Sequence, residues 1–235
     1  MFIMVDGIDG SGKSTLINAW KEMLIAEGNG VFDLKKYWLE TGRYPEPHEL
    51  KGYDFIFTAE PSNVGVGQVI REELVRAGTN YPPEAVAEAY ALDRLILYQK
   101  IIIPSLKEGR CIIQDRGYTT SYAYQPLSHQ SITQKTLSRL PGNALAIKYR
   151  PDHIVFLNVD PQAALNRLLG RAEKKDNVIF EKLDFQTKAA KIFLSKKYQR
   201  WFAKQGVKIH QLSGNAKIDI IHTEGQRLLK SILNQ

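Results

Sequence analysis

The residues best suited to chemistry open the chain: Gly7-Ile8-Asp9-Gly10-Ser11-Gly12-Lys13-Ser14. A glycine, four free positions, then Gly-Lys-Ser form a phosphate-binding P-loop when the segment lies between a strand and a helix. Gly7, Gly10 and Gly12 let the backbone turn its N–H groups inward, and the following helix adds its positive N-terminus. Lys13 is expected to reach the β- and γ-phosphates of a nucleotide and the Ser14 hydroxyl to ligate magnesium, with Ser11 and Thr15 in the same contact set. The chemistry implied is the binding of ATP with Mg2+, and the loop alone names no acceptor.

The flanking pattern supplies the required context. Phe2 to Val5 reads as a buried strand, and Leu16, Ala19, Trp20, Met23 and Leu24 recur at helical spacing over Ser14 to Ala26. Further strands are expected at 54–58, 111–114, 154–159 and 207–212, mostly separated by helical stretches. The reading is therefore an α/β fold of three layers, a parallel sheet of about five strands with helices on both faces. A long helix is expected over 84–106, with Pro104 ending or kinking it near Ile103. Residues 29–53 are long for a connection and read as an insertion holding a short helix near Leu34 to Glu40. The chain, 1–235, reads as one domain.

Beyond the loop the chain resembles the thymidylate kinase family of P-loop nucleoside monophosphate kinases, on five stretches. Asp9 matches a carboxylate that accepts from the acceptor's 3′-hydroxyl. Thr58-Ala59-Glu60-Pro61-Ser62 is similar to Thr-Arg-Glu-Pro-Gly, and Arg71 to an arginine that holds the acceptor phosphate. Tyr90-Ala91-Leu92-Asp93-Arg94 resembles a segment whose ring stacks on thymine and whose arginine contacts base and phosphate. In Asp115-Arg116 through Gln125, the resemblance gives Asp115 to magnesium and Arg116 to the transferring phosphate. It gives Ser121 and Gln125 to the base, and sets Tyr124 against the sugar's 2′ position. Asn158-Val159-Asp160-Pro161, with Arg167 and Arg171, is similar to the strand and helix that lead into a mobile lid, placed here at about 171–182.

What the resemblance implies is transfer of the γ-phosphate of ATP to dTMP, giving dTDP and ADP, by a homodimer. The residue chemistry agrees: a phosphate acceptor is already an anion, so the work reduces to alignment and neutralisation by Lys13, Arg71, Arg94, Arg116 and magnesium. Taken singly, Asp93-Arg94 reads equally well as a surface helix pair and Asp115-Arg116 as a strand-end ion pair. Their order and spacing after a P-loop favour function. Two departures from the family stand out. Ala59 replaces an arginine, and neither Gly10 nor Asn177 supplies the arginine that family members carry in the P-loop or the lid. The missing charge is expected from Arg171 first, with Lys174 and Lys175 as alternatives. A deoxynucleoside kinase would need a general base beside its acceptor hydroxyl, and would have no phosphate for Arg71. A non-metabolic P-loop nucleotide-binding protein is the third alternative.

Composition narrows the partners. The net charge of +7 arises in the last third, where residues 151–235 hold 15 Lys and Arg against 8 Asp and Glu. Those basic residues lack interleaved aromatic platforms, so no nucleic acid is expected. No apolar run approaches a membrane span, and no signal or transit pattern opens the chain, which gives a cytoplasmic expectation with no membrane partner. Cys111, the one cysteine, lies in an apolar run and reads as core. The five histidines show no metal-ligand spacing.

Overall fold

The computed structural model describes residues 1–170, 180 and 182–234. Its centre is a parallel sheet of six strands in the order β2-β3-β4-β1-β5-β6. These are β1 (Phe2–Asp6), β2 (Val31–Asp33), β3 (Phe55–Ala59), β4 (Cys111–Asp115), β5 (His153–Asn158) and β6 (Lys208–Ser213). The strands read from sequence are all present. The sixth, β2, comes from the 29–53 insertion and lengthens the sheet at the β3 edge, pairing Val31 with Phe55 and Asp33 with Phe57. Its three residues are too few to show alternation, which is why the expected count was about five.

Alternation along the strands divides the core between the two faces. Phe2 and Met4 join Ile56, Ile112, Ile154 and Phe156 on one side, under Tyr98, Tyr118, Phe193 and Phe202. Ile3 and Val5 join Phe57, Ile113, Val155 and Leu157 on the other, against Leu16 and Trp20 of the Lys13–Ala26 helix and Leu229 and Ile232 of the Ile218–Leu233 helix. A sheet covered twice has nearly continuous apolar strands, and all five residues of β1 are buried. Cys111 belongs to this second core, and burial pushes its thiol up to about 12.

The long helix runs further than proline alone would suggest. Pro83–Leu97 is α-helical, Tyr98–Ile102 widens to π geometry, and Ile103–Lys107 closes as α-helix. Pro104 is accommodated after a wider turn rather than by a stop, since the changed register removes the need for its missing N–H. The insertion forms a helix at Leu34–Thr41, as expected, followed by a 3-10 turn at Pro47–Leu50. Leu34 and Trp38 are fully buried and fasten that helix to the domain. No helix among the described residues is long and apolar enough to cross a membrane.

Candidate active site

The P-loop leaves the carboxyl end of β1, beside the ends of β3 and β4, where open parallel sheets place their ligands. Asp6, the last residue of β1, accepts from the Gly7 N–H at 2.7 Å and from Thr120 Oγ1 at 2.9 Å, and it also accepts from Thr119. Gly10 and Gly12 have φ of +75° and +99°, which side chains other than glycine rarely adopt. At Gly10 a Cβ would stand 2.3 Å from the Ala164 carbonyl oxygen, so the position has no room for a side chain. Lys13 is buried and turns back onto the loop, donating to the carbonyls of Ile8 at 2.8 Å and Gly7 at 3.0 Å. Burial, aided by the positive charge of Arg116, lowers its pKa to about 8.

Arg116 follows β4 with φ of +63°, the left-handed region, and is the one non-glycine residue there among the described residues. Such strain persists only where surrounding bonds hold it. Here the Arg116 N–H donates to Val5 O at 2.9 Å, Nη1 to Gly7 O at 3.2 Å, and Nη2 to Asp9 Oδ1 at 2.5 Å. Asp9 also accepts from Gln186 Nε2 at 2.9 Å and Tyr124 Oη at 3.1 Å. Burial opposes its charge, but Arg116 and Lys13 outweigh burial and hold its carboxyl below the usual range. For Asp6, burial prevails over Arg116 and its pKa is raised.

A second charged pair lies behind the first. Glu60, just past β3, receives Arg94 Nη2 at 2.5 Å and Gln114 Nε2 at 3.1 Å, with Glu60 and Arg94 both buried. Arg94 also donates to Ser121 Oγ at 3.1 Å and to Asn143. Burial raises the Glu60 pKa to about 6 despite the arginine. Asp93 takes no part in ligand space: it accepts from the Ser62 N–H at 2.8 Å and Ser62 Oγ at 2.6 Å, fixing the loop after the Glu60-Pro61 bond. Arg71 donates to the carbonyls of Ser62, at 3.1 Å, and Pro61.

Several of these groups line one cleft of about 250 Å³. It unites Asp9 to Ser14 with Glu60, Arg71, Tyr90, Arg94, Asp115, Arg116, Ser121, Tyr124 and Gln125. Gln125 Oε1 is buried there without a hydrogen-bond partner, an open acceptor. Gly7 lies beneath the lining and contributes its carbonyl to Lys13 and Arg116. Thr15 and Arg167 do not line the cleft. Arg171, Lys174, Lys175 and Asn177 lie outside the described residues, as does most of the expected lid. Sequence reasoning missed Asp6, Lys35, Thr120, Asn143, Phe180 and Gln186. For Asp6, an acid ending an otherwise apolar strand was a usable signal; Thr120 lies inside the Asp115 to Gln125 stretch without a role assigned to it, and the others sit in no motif.

The metal expectation rests on Ser14 and Asp115, which line the same cleft. Asp115 Oδ1 is buried with no hydrogen-bond partner, and Ser14 is exposed at the helix start. A hydroxyl and an unsatisfied carboxylate oxygen are hard donors of the kind magnesium takes, with nucleotide phosphates and water completing its shell. No group of three or more His, Cys, Asp or Glu among the described residues could cage a metal.

A sequence model of the family described as thymidylate kinase matches residues 48–224. A "Probable thymidylate kinase" from Thermococcus onnurineus is 32% identical over 202 residues, covering 83% of this chain and 82% of its own. Another from Thermococcus kodakarensis is 28% identical over 243 aligned positions and covers 100% of both. A "Thymidylate kinase" from Clavibacter sepedonicus is 30% identical over 196 residues, covering 83% of this chain and 80% of its own.

Proposed function

The chain belongs to the thymidylate kinase family of enzymes that phosphorylate dTMP, and from that premise we propose how its own residues divide the work. ATP is the donor, with its phosphates over the P-loop N–H groups. Lys13 leaves its loop carbonyls for the β- and γ-phosphate oxygens, which restore the charge that burial disfavours. Ser14 and Asp115 would hold magnesium, which would supply charge neutralisation for the donor phosphates.

At the acceptor end, Tyr90 stacks on thymine and the open Gln125 Oε1 accepts from the base N–H. Asp9 takes the 3′-hydroxyl, and Tyr124, hydrogen-bonded to Asp9, occupies the 2′ side. Arg71 holds the acceptor phosphate. Glu60 acts through Arg94, keeping that guanidinium in place within the cleft wall. Arg116, held between Gly7 and Asp9, points at the junction of donor and acceptor and neutralises the phosphoryl group in flight. No general base is required, because the attacking oxygen belongs to an anionic phosphate.

The observation that carries this reading is the single cleft that brings Lys13, Arg71, Arg94 and Arg116 around one space. ADP release measured with dTMP, dUMP, dCMP, thymidine or no acceptor tests it. dTMP should lead, with dUMP weaker. Release with thymidine alone would establish the deoxynucleoside kinase reading, and no release with any acceptor the non-metabolic nucleotide-binding one.

We assign the working form as a cytoplasmic homodimer. Support comes from the exposed apolar side chains of Val69 and Leu92, on helices that pack together. Sedimentation equilibrium decides the oligomeric state. The remaining positive charge over the donor is assigned to Arg171, tested by comparing Arg171→Ala with Lys174→Ala and Lys175→Ala under saturating dTMP.

A further inference from the structure

The 29–53 insertion reaches the active site through one side chain. A second cleft of about 260 Å³ opens beside the first, between the Lys13–Ala26 helix, the Leu34–Thr41 helix and β3. Ser14, Lys35, Ala59 and Asp115 line both clefts, so Lys35 stands at the corner shared with the proposed magnesium donors. The small Ala59 side chain on that corner leaves the space open.

Lys35 is held there by a chain of local constraints. β2 pairing sets Asp33 opposite Phe57, two residues before Ala59. The Asp33 carboxylate then caps the insertion helix, accepting from the Lys36 N–H at 3.1 Å, and bridges to Lys21 of the P-loop helix at 2.5 Å. Lys35 therefore leaves the first turn of a helix tied to the P-loop helix at one end and buried through Leu34 and Trp38 along its length. The other cations of the cleft wall are engaged: Lys13 and Arg71 by carbonyls, Arg94 and Arg116 by carboxylates. Lys35 is exposed and has no hydrogen bond or ion pair among the described residues.

We propose that Lys35 is a further phosphate-binding residue of the phosphotransfer site, its ammonium meeting the terminal phosphate of the donor from the side opposite Lys13. A lysine suits this place because its flexible stem carries a compact charge to an oxygen whose position changes as the phosphoryl group moves. The insertion is thus part of the catalytic apparatus. The inference rests on the dTMP kinase reading only for its kinetic arm.

The experiment compares Lys35→Ala, Lys35→Arg and Lys36→Ala with the parent. It measures dTMP-dependent ADP release and, separately, ATP affinity by calorimetry in excess EDTA, with thermal melting to confirm the fold. Lys36 pairs with Glu40 at 3.7 Å and lines only the second cleft, so it is the neighbouring-charge control. Lys35→Ala should lower kcat and weaken ATP binding about tenfold or more, the scale of one lost charge-assisted hydrogen bond. The KM for dTMP should stay within about twofold, since a donor-side contact leaves acceptor binding alone. Lys35→Arg should recover most of both, and Lys36→Ala should match the parent. Parent-like kcat and ATP affinity in Lys35→Ala would overturn the proposal, as would an equal loss in Lys36→Ala or no recovery in Lys35→Arg. A parent that fails to phosphorylate dTMP would overturn the function reading instead, while the calorimetric arm would still judge Lys35.

Discussion

Arg116 Nη2 and Asp9 Oδ1 stand 2.5 Å apart and join the end of β4 to the P-loop across the mouth of the cleft. The bond ties the residue assigned to the transferring phosphate to the residue assigned to the acceptor sugar. Gln186 extends the link to the Leu183–Leu194 helix, since its Nε2 donates to Asp9 while its Oε1 accepts from the Asp9 N–H at 3.1 Å. Removal of Arg116 as alanine should lower kcat/KM by about 100-fold or more, on the scale of a lost transition-state donor. Gln186→Ala leaves the charges intact and should cost far less. Equal losses in the two variants, measured by ADP release, would show that Arg116 acts only by holding the loop.

The Glu60–Arg94 pair predicts a stability effect apart from catalysis. Both side chains are buried, so Arg94→Ala leaves an uncompensated carboxylate and Glu60→Ala an uncompensated guanidinium. Each should cost about 3–5 kcal/mol in denaturant unfolding, the range for breaking a buried pair from one side. Glu60→Gln keeps a hydrogen-bond acceptor and should cost less. A Glu60→Ala variant as stable as the parent would mean that water replaces the pair.

The P-loop, five of the six strands and most of the cleft were legible because each depends on local signals: glycine spacing, apolar runs, and arginines in fixed order. Gln186 and Asn143 were not, because their roles exist only through contacts 177 and 49 residues away in sequence, at Asp9 and Arg94. β2 and Lys35 escaped for a related reason. Three residues carry no periodicity, and a solvent-facing lysine gains meaning only when pairing places its helix beside Ser14 and Asp115.

Base choice should respond to Gln125. Its unpartnered Oε1 lines the cleft, so filling that acceptor with a base N–H removes a buried unsatisfied group. Gln125→Ala should raise the KM for dTMP more than it lowers kcat, and should narrow the preference for dTMP over dCMP. An unchanged dTMP to dCMP ratio of kcat/KM would place base recognition elsewhere.

His153 Nδ1 and His210 Nε2 meet at 3.0 Å on β5 and β6 with their rings stacked. Burial lowers both pKa values, helped for His153 by His210 and Lys208 and opposed by Asp152, and for His210 by Lys208. A histidine depressed in the fold binds protons more readily when unfolded, so stability is full above the ordinary value near 6.5 and is lost as pH falls below it. Raised Glu60 and Asp6 act in the opposite sense, so the test is a difference. Melting curves from pH 7 to pH 5 should fall less steeply in His210→Gln than in the parent. Parallel curves would remove the pair from the acid response.

Nucleotide affinity should depend on alkaline pH through Lys13. Its pKa stands at about 8 because burial and the nearby Arg116 disfavour the ammonium. Phosphate oxygens favour that ammonium, so the bound state holds the proton to higher pH than the free protein does. Below pH 8 both states are protonated and the dissociation constant for ATP should be flat. Above it the free protein loses a proton that binding must restore, and the dissociation constant should rise about tenfold per pH unit until the bound state titrates too. Lys13→Arg provides the control, since a guanidinium keeps its charge throughout this range. Its affinity should be lower at pH 7 if the fork fits the loop poorly, yet level between pH 7 and pH 9.5. Calorimetric titration of parent and variant with ATP in EDTA separates the cases. A parent profile as level as that of Lys13→Arg would mean that the Lys13 ammonium does not meet the phosphates.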